Sequence, residues 1–312
     1  MLIDTHQHIL PPFYAEWLKG CKQPMHVPAP EWATKRALNI MDQNFIDSAI
    51  LSVVPMMIAA AGDAPMMVGM ARRLNEYSAD IVSKHPRRFG FFATLTLPDI
   101  EHAICEARYA LDVLHADGII LPSYAGTALI GDAAWRPLMD YLNQRATVVL
   151  VHPVALPALE MHSRSHYAPE FLFDMTQAGM NIAKSGWLEQ YPDIKFILAH
   201  GGGFLPFVAK QKAHIMSPDH SQTQGVERLR RFYFDTALTN QPNLLPTLLA
   251  FADPTHITFG SDWPLVPHHY SPHLAQSLDD ISSSREQRNA ITHRNALRLF
   301  PRLHKSICFF EW

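Results

Sequence analysis

Eight short runs rich in β-branched and aromatic residues recur along the chain, near 2–6, 48–54, 89–95, 117–121, 147–152, 194–199, 231–236 and 256–261, with longer segments between them. Strands that alternate with helices are parallel, because a parallel neighbour needs a crossover long enough to hold a helix. Eight such units close into a (β/α)8 TIM barrel, an α/β fold in which the C-terminal strand ends share one mouth. Pro55, Pro122 and Pro153 lie at or just beyond the ends of three runs and stop the ladder there. Between the runs, Leu74, Tyr77 and Ile81, then Ile100, Ile104, Leu111 and Leu114, then Trp135, Leu138 and Leu142 recur at helical spacing. A longer helix is expected from Glu170 to Tyr191, closed by Pro192, and a last one from Arg285 to Phe300. The five prolines between Leu10 and Glu31 predict a long loop that covers the end of the first strand.

The 312 residues show no repeat, low-complexity stretch or linker, so a single barrel domain over 1–312 is expected. Apolar residues make up 48% and charged residues 18%, which suits a large buried core. The net charge of −3, without a basic run, argues against a nucleic-acid partner. Cys21, Cys105 and Cys308 are too scattered for a disulfide framework and read as thiols of a reducing compartment. With no basic leader ahead of Leu2 and no apolar run near the ~20 residues that cross a bilayer, a soluble cytoplasmic protein is expected, with no membrane partner. The apolar tail Cys308–Trp312 suits docking on the barrel or on a second subunit, hence a homo-oligomer, dimer or tetramer.

The chemistry lies at the strand ends. His6 and His8 are two apart, so on a strand they share a face and can grip one ion. Alone, they could equally be a half-buried pair, but His152 and Asp262 end two further strands in the same way. Neutral imidazoles and a carboxylate, with a position left for water or substrate, make a catalytic metal site: Zn2+ first, with Mn2+ or Fe2+ as alternatives. Strand 4 ends Ile119-Ile120-Leu121-Pro122-Ser123-Tyr124, with neither Lys nor Glu to bridge two ions, so one divalent metal is expected. His200 ends the sixth strand before Gly201, Gly202 and Gly203, which let the backbone turn tightly. It is a fourth nitrogen ligand, a group beside the metal that moves a proton or holds a substrate oxygen, or, more plainly, a histidine that orders the turn. Asp262 can serve twice, as ligand and as proton carrier. Phe13 and Met56, with Tyr14 and Met57, are candidates for an apolar substrate wall, and Arg164 is the cation expected to meet a substrate carboxylate. Each of these has packing or a solvated loop as its plainer reading.

Taken together, His6-Gln7-His8, His152, His200-Gly201-Gly202-Gly203 and Gly260-Ser261-Asp262 resemble the decarboxylase branch of the amidohydrolase superfamily, the group of aminocarboxymuconate semialdehyde decarboxylase. Within it, the chain looks most similar to proteins of the 6-methylsalicylate decarboxylase type. His85–Phe91, Ala116–Gly118 and Tyr191–Phe196 extend the likeness over nearly the whole sequence. The resemblance implies a distorted amidohydrolase barrel, His6, His8, His152 and Asp262 as ligands, and His200 as catalytic base. It also implies release of carbon dioxide from a small-molecule carboxylic acid. One departure narrows the acid: Phe204–Ala213 holds Lys210 and Lys212 but no arginine to clamp a dicarboxylate. A monocarboxylic, hydroxylated aromatic acid is therefore expected. A hydrolase of a lactone or amide would use the same groups, and a non-catalytic barrel would have no need of all of them.

Overall fold

The eight strands form where the apolar runs place them: β1 Ile3–His8, β2 Ser48–Ser52, β3 Phe89–Thr94, β4 Gly118–Pro122, β5 Val148–His152, β6 Lys195–Leu198, β7 Tyr233–Asp235 and β8 Ile257–Thr258. A computed structural model describes residues 1–19, 31–54, 64–154, 169–217, 219–239, 244–266, 278 and 284–306. Met56, Met57, Arg164 and the tail Cys308–Trp312 lie outside the described residues. Each strand pairs in parallel with the next in sequence order. Backbone bonds from Thr5 N to Phe259 O (2.8 Å), Asp262 N to His6 O (2.8 Å) and His8 N to Trp263 O (2.7 Å) join the eighth unit to the first. The sheet therefore closes into the expected (β/α)8 TIM barrel.

Every residue of β1 to β5 is buried, as expected for parallel strands covered on both faces. Helices α1 Pro12–Lys19, α2 Thr34–Gln43, α3 Ala64–Lys84, α4 Ile100–Asp112, α5 Arg136–Gln144, α6 Pro169–Lys184 and α7 Leu205–Lys212 are among those that surround it. Among the described residues no helix is long and apolar enough to cross a membrane.

Three local expectations are corrected. The proline-rich stretch after β1 is in part a helix, because Pro12 starts α1, and Tyr14 and Leu18 bury one face. The helix expected over 170–191 stops at Lys184, since Gly186 adopts a left-handed φ of 77° before a short turn Trp187–Gln190. The last helix carries a π turn at Ala290–Arg294 between Arg285–Asn289 and Asn295–Leu299.

Candidate metal centre

β1 gains one residue on β2 between Asp4, which pairs with Ala49, and Gln7, which pairs with Leu51. Such a bulge re-aims side chains at a strand end. His6 Nε2 and His8 Nε2 come within 2.9 Å of each other. Asp262 Oδ1 lies 3.1 Å from His8 Nε2 and 3.4 Å from His6 Nε2. The His152 ring centroid stands 5.2 Å from that of His6 and 4.8 Å from that of His8. One donor atom from each of His6, His8, His152 and Asp262 falls within 4.8 Å of all the others, and all four residues are buried.

The outward nitrogens are already engaged. His6 Nδ1 donates to Asp235 Oδ2 at 2.8 Å, and His152 Nδ1 to the Pro153 carbonyl at 2.9 Å. His8 Nδ1 is 2.9 Å from Ser52 Oγ. Carboxylates and carbonyls only accept, so His6 and His152 each carry a proton on Nδ1 and turn Nε2 inward. His152 Nε2 and Asp262 Oδ1 are buried with no hydrogen-bond partner among the described residues. Such groups cost roughly 1–3 kcal/mol each when left bare, and a cation at the centre removes that cost. Nitrogen and carboxylate donors in this arrangement fit a divalent metal.

Charge points the same way. Burial opposes a proton on His6, yet Asp235, Asp262 and Asp4 outweigh it and push its pKa up to about 9. Surroundings that hold a proton this firmly also hold a cation. Burial would raise Asp262, but the close approach of His8 Nε2 (3.1 Å) and the imidazoles of His200 and His6 hold it down at about 2. Burial lowers His8, and lowers His152 well below its ordinary value with help from the neighbouring histidines. Asp262 is thus a carboxylate, and His152 a neutral donor.

His200 follows β6, with its ring centroid 5.1 Å from His6 and 5.5 Å from His152. Its Nδ1 is buried with no hydrogen-bond partner among the described residues, and burial lowers its pKa. His200 and Asp262 both adopt left-handed backbone, with φ of 55° and 57°. Non-glycine residues pay on the order of 1–3 kcal/mol for such conformations, which gather at functional sites. Gly260 permits the close approach of β8: a Cβ there would meet His6 Cβ at 2.9 Å and Asp235 Cβ at 3.1 Å.

Asp235 is the residue that sequence reading left without a role. Its Oδ2 holds His6, while its Oδ1 accepts from His200 N (3.0 Å) and Ala237 N (2.9 Å). Its position at the end of β7 was the available signal, the same one that marked His152. Asp4, whose pKa burial raises to about 6, ties β1 to the β8 turn through Ser261 N (3.0 Å) and Ser261 Oγ (2.6 Å). Phe13 is half-buried against Tyr77, 5.6 Å between centroids, with the Arg73 guanidinium 3.9 Å from its ring centroid. Lys210 and Lys212 are exposed in the last turn of α7.

Residues 3–302 match the Amidohydrolase family profile. The decarboxylase yanB of Aspergillus niger is 35% identical over 96% of this chain and 87% of its own length. The 6-methylsalicylic acid decarboxylase of Penicillium expansum is 34% identical over 96% of each chain. A crystal structure described as an amidohydrolase II superposes with a TM-score of 0.88 at 30% identity, covering 96% of this chain and 100% of the other. A dihydroxybenzoic acid decarboxylase from Polaromonas sp. JS666, solved with manganese and the inhibitor 2-nitroresorcinol, superposes at 0.83 with 23% identity, covering 99% of both chains. The chain belongs to the amidohydrolase family, in its decarboxylase branch.

Proposed function

We infer that this protein is a metal-dependent, non-oxidative decarboxylase of an aromatic carboxylic acid. The observation that carries it is the convergence of His6, His8, His152 and Asp262 at the barrel mouth of a chain 31–35% identical to four decarboxylases. For the substrate we propose a hydroxylated benzoic acid of the 6-methylsalicylate or dihydroxybenzoate kind. The absence of an arginine from Phe204–Ala213, with its lysines exposed at the far end of α7, favours one carboxylate over two.

His6, His8, His152 and Asp262 would hold one divalent cation. When bound, it supplies a Lewis acid for the carboxylate or hydroxyl oxygen of the substrate. Zinc is our assignment on the donor set alone, and manganese, present in the Polaromonas relative, is its competitor. Asp262 is a carboxylate at rest, so the proton that it would deliver to the ring carbon must first come from the substrate's hydroxyl, whose acidity a bound cation would raise. The carbon–carbon electron pair then returns to the ring as carbon dioxide leaves, restoring aromaticity. His200, with Nδ1 free and its pKa lowered by burial, holds the hydroxyl oxygen or exchanges its proton. Phe13 is kept as a candidate wall residue, as are Met56 and Arg164.

The test is carbon dioxide release from a panel of hydroxybenzoates, including 6-methylsalicylate, by protein loaded with Zn2+ or Mn2+. Release by the wild type and its loss in Asp262→Asn are expected. A ring-opened or hydrolysed product without loss of carbon dioxide would replace this reading with hydrolysis. We also propose one domain over 1–312 in a cytoplasmic homo-oligomer, the latter tested by light scattering.

A further inference from the structure

His6 is backed directly by a carboxylate, whereas His152 rests on the Pro153 carbonyl, 2.9 Å from its Nδ1. That carbonyl is one end of a peptide group whose other end is the Val154 N–H. Val154 N donates to Asp174 Oδ2 at 2.8 Å. Asp174 lies in α6, only 1% exposed, and also accepts from Ser123 Oγ. We propose that Asp174 is a positioning residue for His152, acting through the single peptide unit Pro153–Val154. This rests on the reading of His152 as a metal ligand.

The physics is that of a polarised amide. The peptide bond is a resonance system, so a negative charge at its N–H shifts electron density onto its oxygen. The Pro153 oxygen then accepts the His152 proton more strongly, and hydrogen bonds in such a chain reinforce one another. A firmer Nδ1 bond fixes the ring and makes Nε2 a better donor, as directly bonded carboxylates do for metal-binding histidines. The result is a carboxylate–peptide–imidazole chain, longer by one amide than the Asp235–His6 pair.

The choice of a charged residue supports this role. Asp174 Oδ1 is buried with no hydrogen-bond partner among the described residues, although hydrogen bonds from Ser123 and Val154 reach the other oxygen. A buried carboxylate is costly to desolvate. Tying one amide to one hydroxyl does not require it, since an asparagine or serine would serve at lower cost. Thr176, two residues on, accepts from Phe204 N at 2.8 Å, just beyond the glycine turn that carries His200. α6 therefore holds the turns after both β5 and β6.

The experiment compares wild type with Asp174→Asn, which preserves shape and an acceptor oxygen but removes the charge. Dissociation constants for Zn2+ and Mn2+ are measured by chelator competition. The visible absorption of the Co2+-loaded protein and the melting temperature of the metal-free protein are recorded beside them. The expected result is about tenfold weaker metal binding, the low end for such outer partners, a shifted Co2+ spectrum and a nearly unchanged melting temperature. Ser123→Ala, which removes the longer 3.3 Å contact of Val154 N with the serine oxygen but leaves the 2.8 Å carboxylate–amide bond in place, should bind metal within about twofold of wild type. Should Asp174→Asn fail to fold, Val154→Pro, which deletes the amide hydrogen, carries the same expected loss. Equal affinities and spectra in wild type and Asp174→Asn would overturn the proposal, as would a tenfold loss in Ser123→Ala. A wild type that binds no metal would instead overturn the metal reading itself.

Discussion

His6 and His152 aim at the same point from opposite kinds of support. On the β7–β8 side, His6 is gripped by Asp235, and three surrounding carboxylates push its pKa up to about 9. On the β4–β5 side, His152 leans on a neutral carbonyl, and burial among other histidines drives its pKa well below the ordinary value. One side supplies negative charge, the other a pre-aimed neutral lone pair. In the metal-free protein a proton therefore waits where the charge is, and the uncharged side pays for its bare Nε2.

The most severe way to probe that division is to remove either histidine. His6→Ala and His152→Ala should each abolish stoichiometric metal binding and lower kcat/KM by about 10³-fold, the upper range for removing one electrostatic stabiliser. Metal analysis and carbon dioxide release check this, and a near-normal His152→Ala enzyme would mean that the two sides do not share an ion. His200→Gln comes next. It should lower kcat by at least about 10²-fold, as for a lost acid–base group, with metal content unchanged. Loss of metal in that variant would make His200 a ligand instead. Asp235→Asn should then weaken metal binding by roughly 10–100-fold, since His6 would lose its direct anionic partner. A smaller loss than in Asp174→Asn would erase the contrast between the two sides.

Much of this was legible because strand ends are written locally. Apolar runs rich in β-branched residues located all eight strands to within a few residues, and the polar residue closing each run located His152, His200 and Asp262. Asp235 and Ser52 end β7 and β2 with polar residues of the same kind, yet their role is relational: each serves another strand's histidine, at a sequence separation of 229 for Asp235 and 44 for Ser52. Periodicity cannot report such a pairing. Asp174 left no mark at all, being a carboxylate on the buried face of a helix between Phe173 and Met175. The helix at Pro12 was hidden for another reason. Its prolines read as breakers, whereas proline at the first helical position is tolerated because that amide has no partner to lose.

The subtlest test follows the proton on His6. Its pKa lies at about 9 in the metal-free fold against 6.5 when unperturbed, so at neutral pH that proton must leave before a cation can bind. Raised basicity means that the proton is held below pH 9 and released above it. Metal affinity should therefore fall about tenfold for each pH unit below roughly 9, and level off above it. The same shift acts on folding of the metal-free protein in the opposite direction. The stabilisation that the protonated pair provides is complete below pH 6.5 and fades as pH rises through 9. Chelator competition across pH 6–10, with melting curves of the metal-free protein alongside, reads both. In Asp235→Asn the levelling-off should move to lower pH, because the largest source of the raised pKa is gone. His152, already neutral, should add nothing to the slope over this range. A slope near two would show that a second histidine carries a proton at rest, and the two sides of the mouth would then be alike.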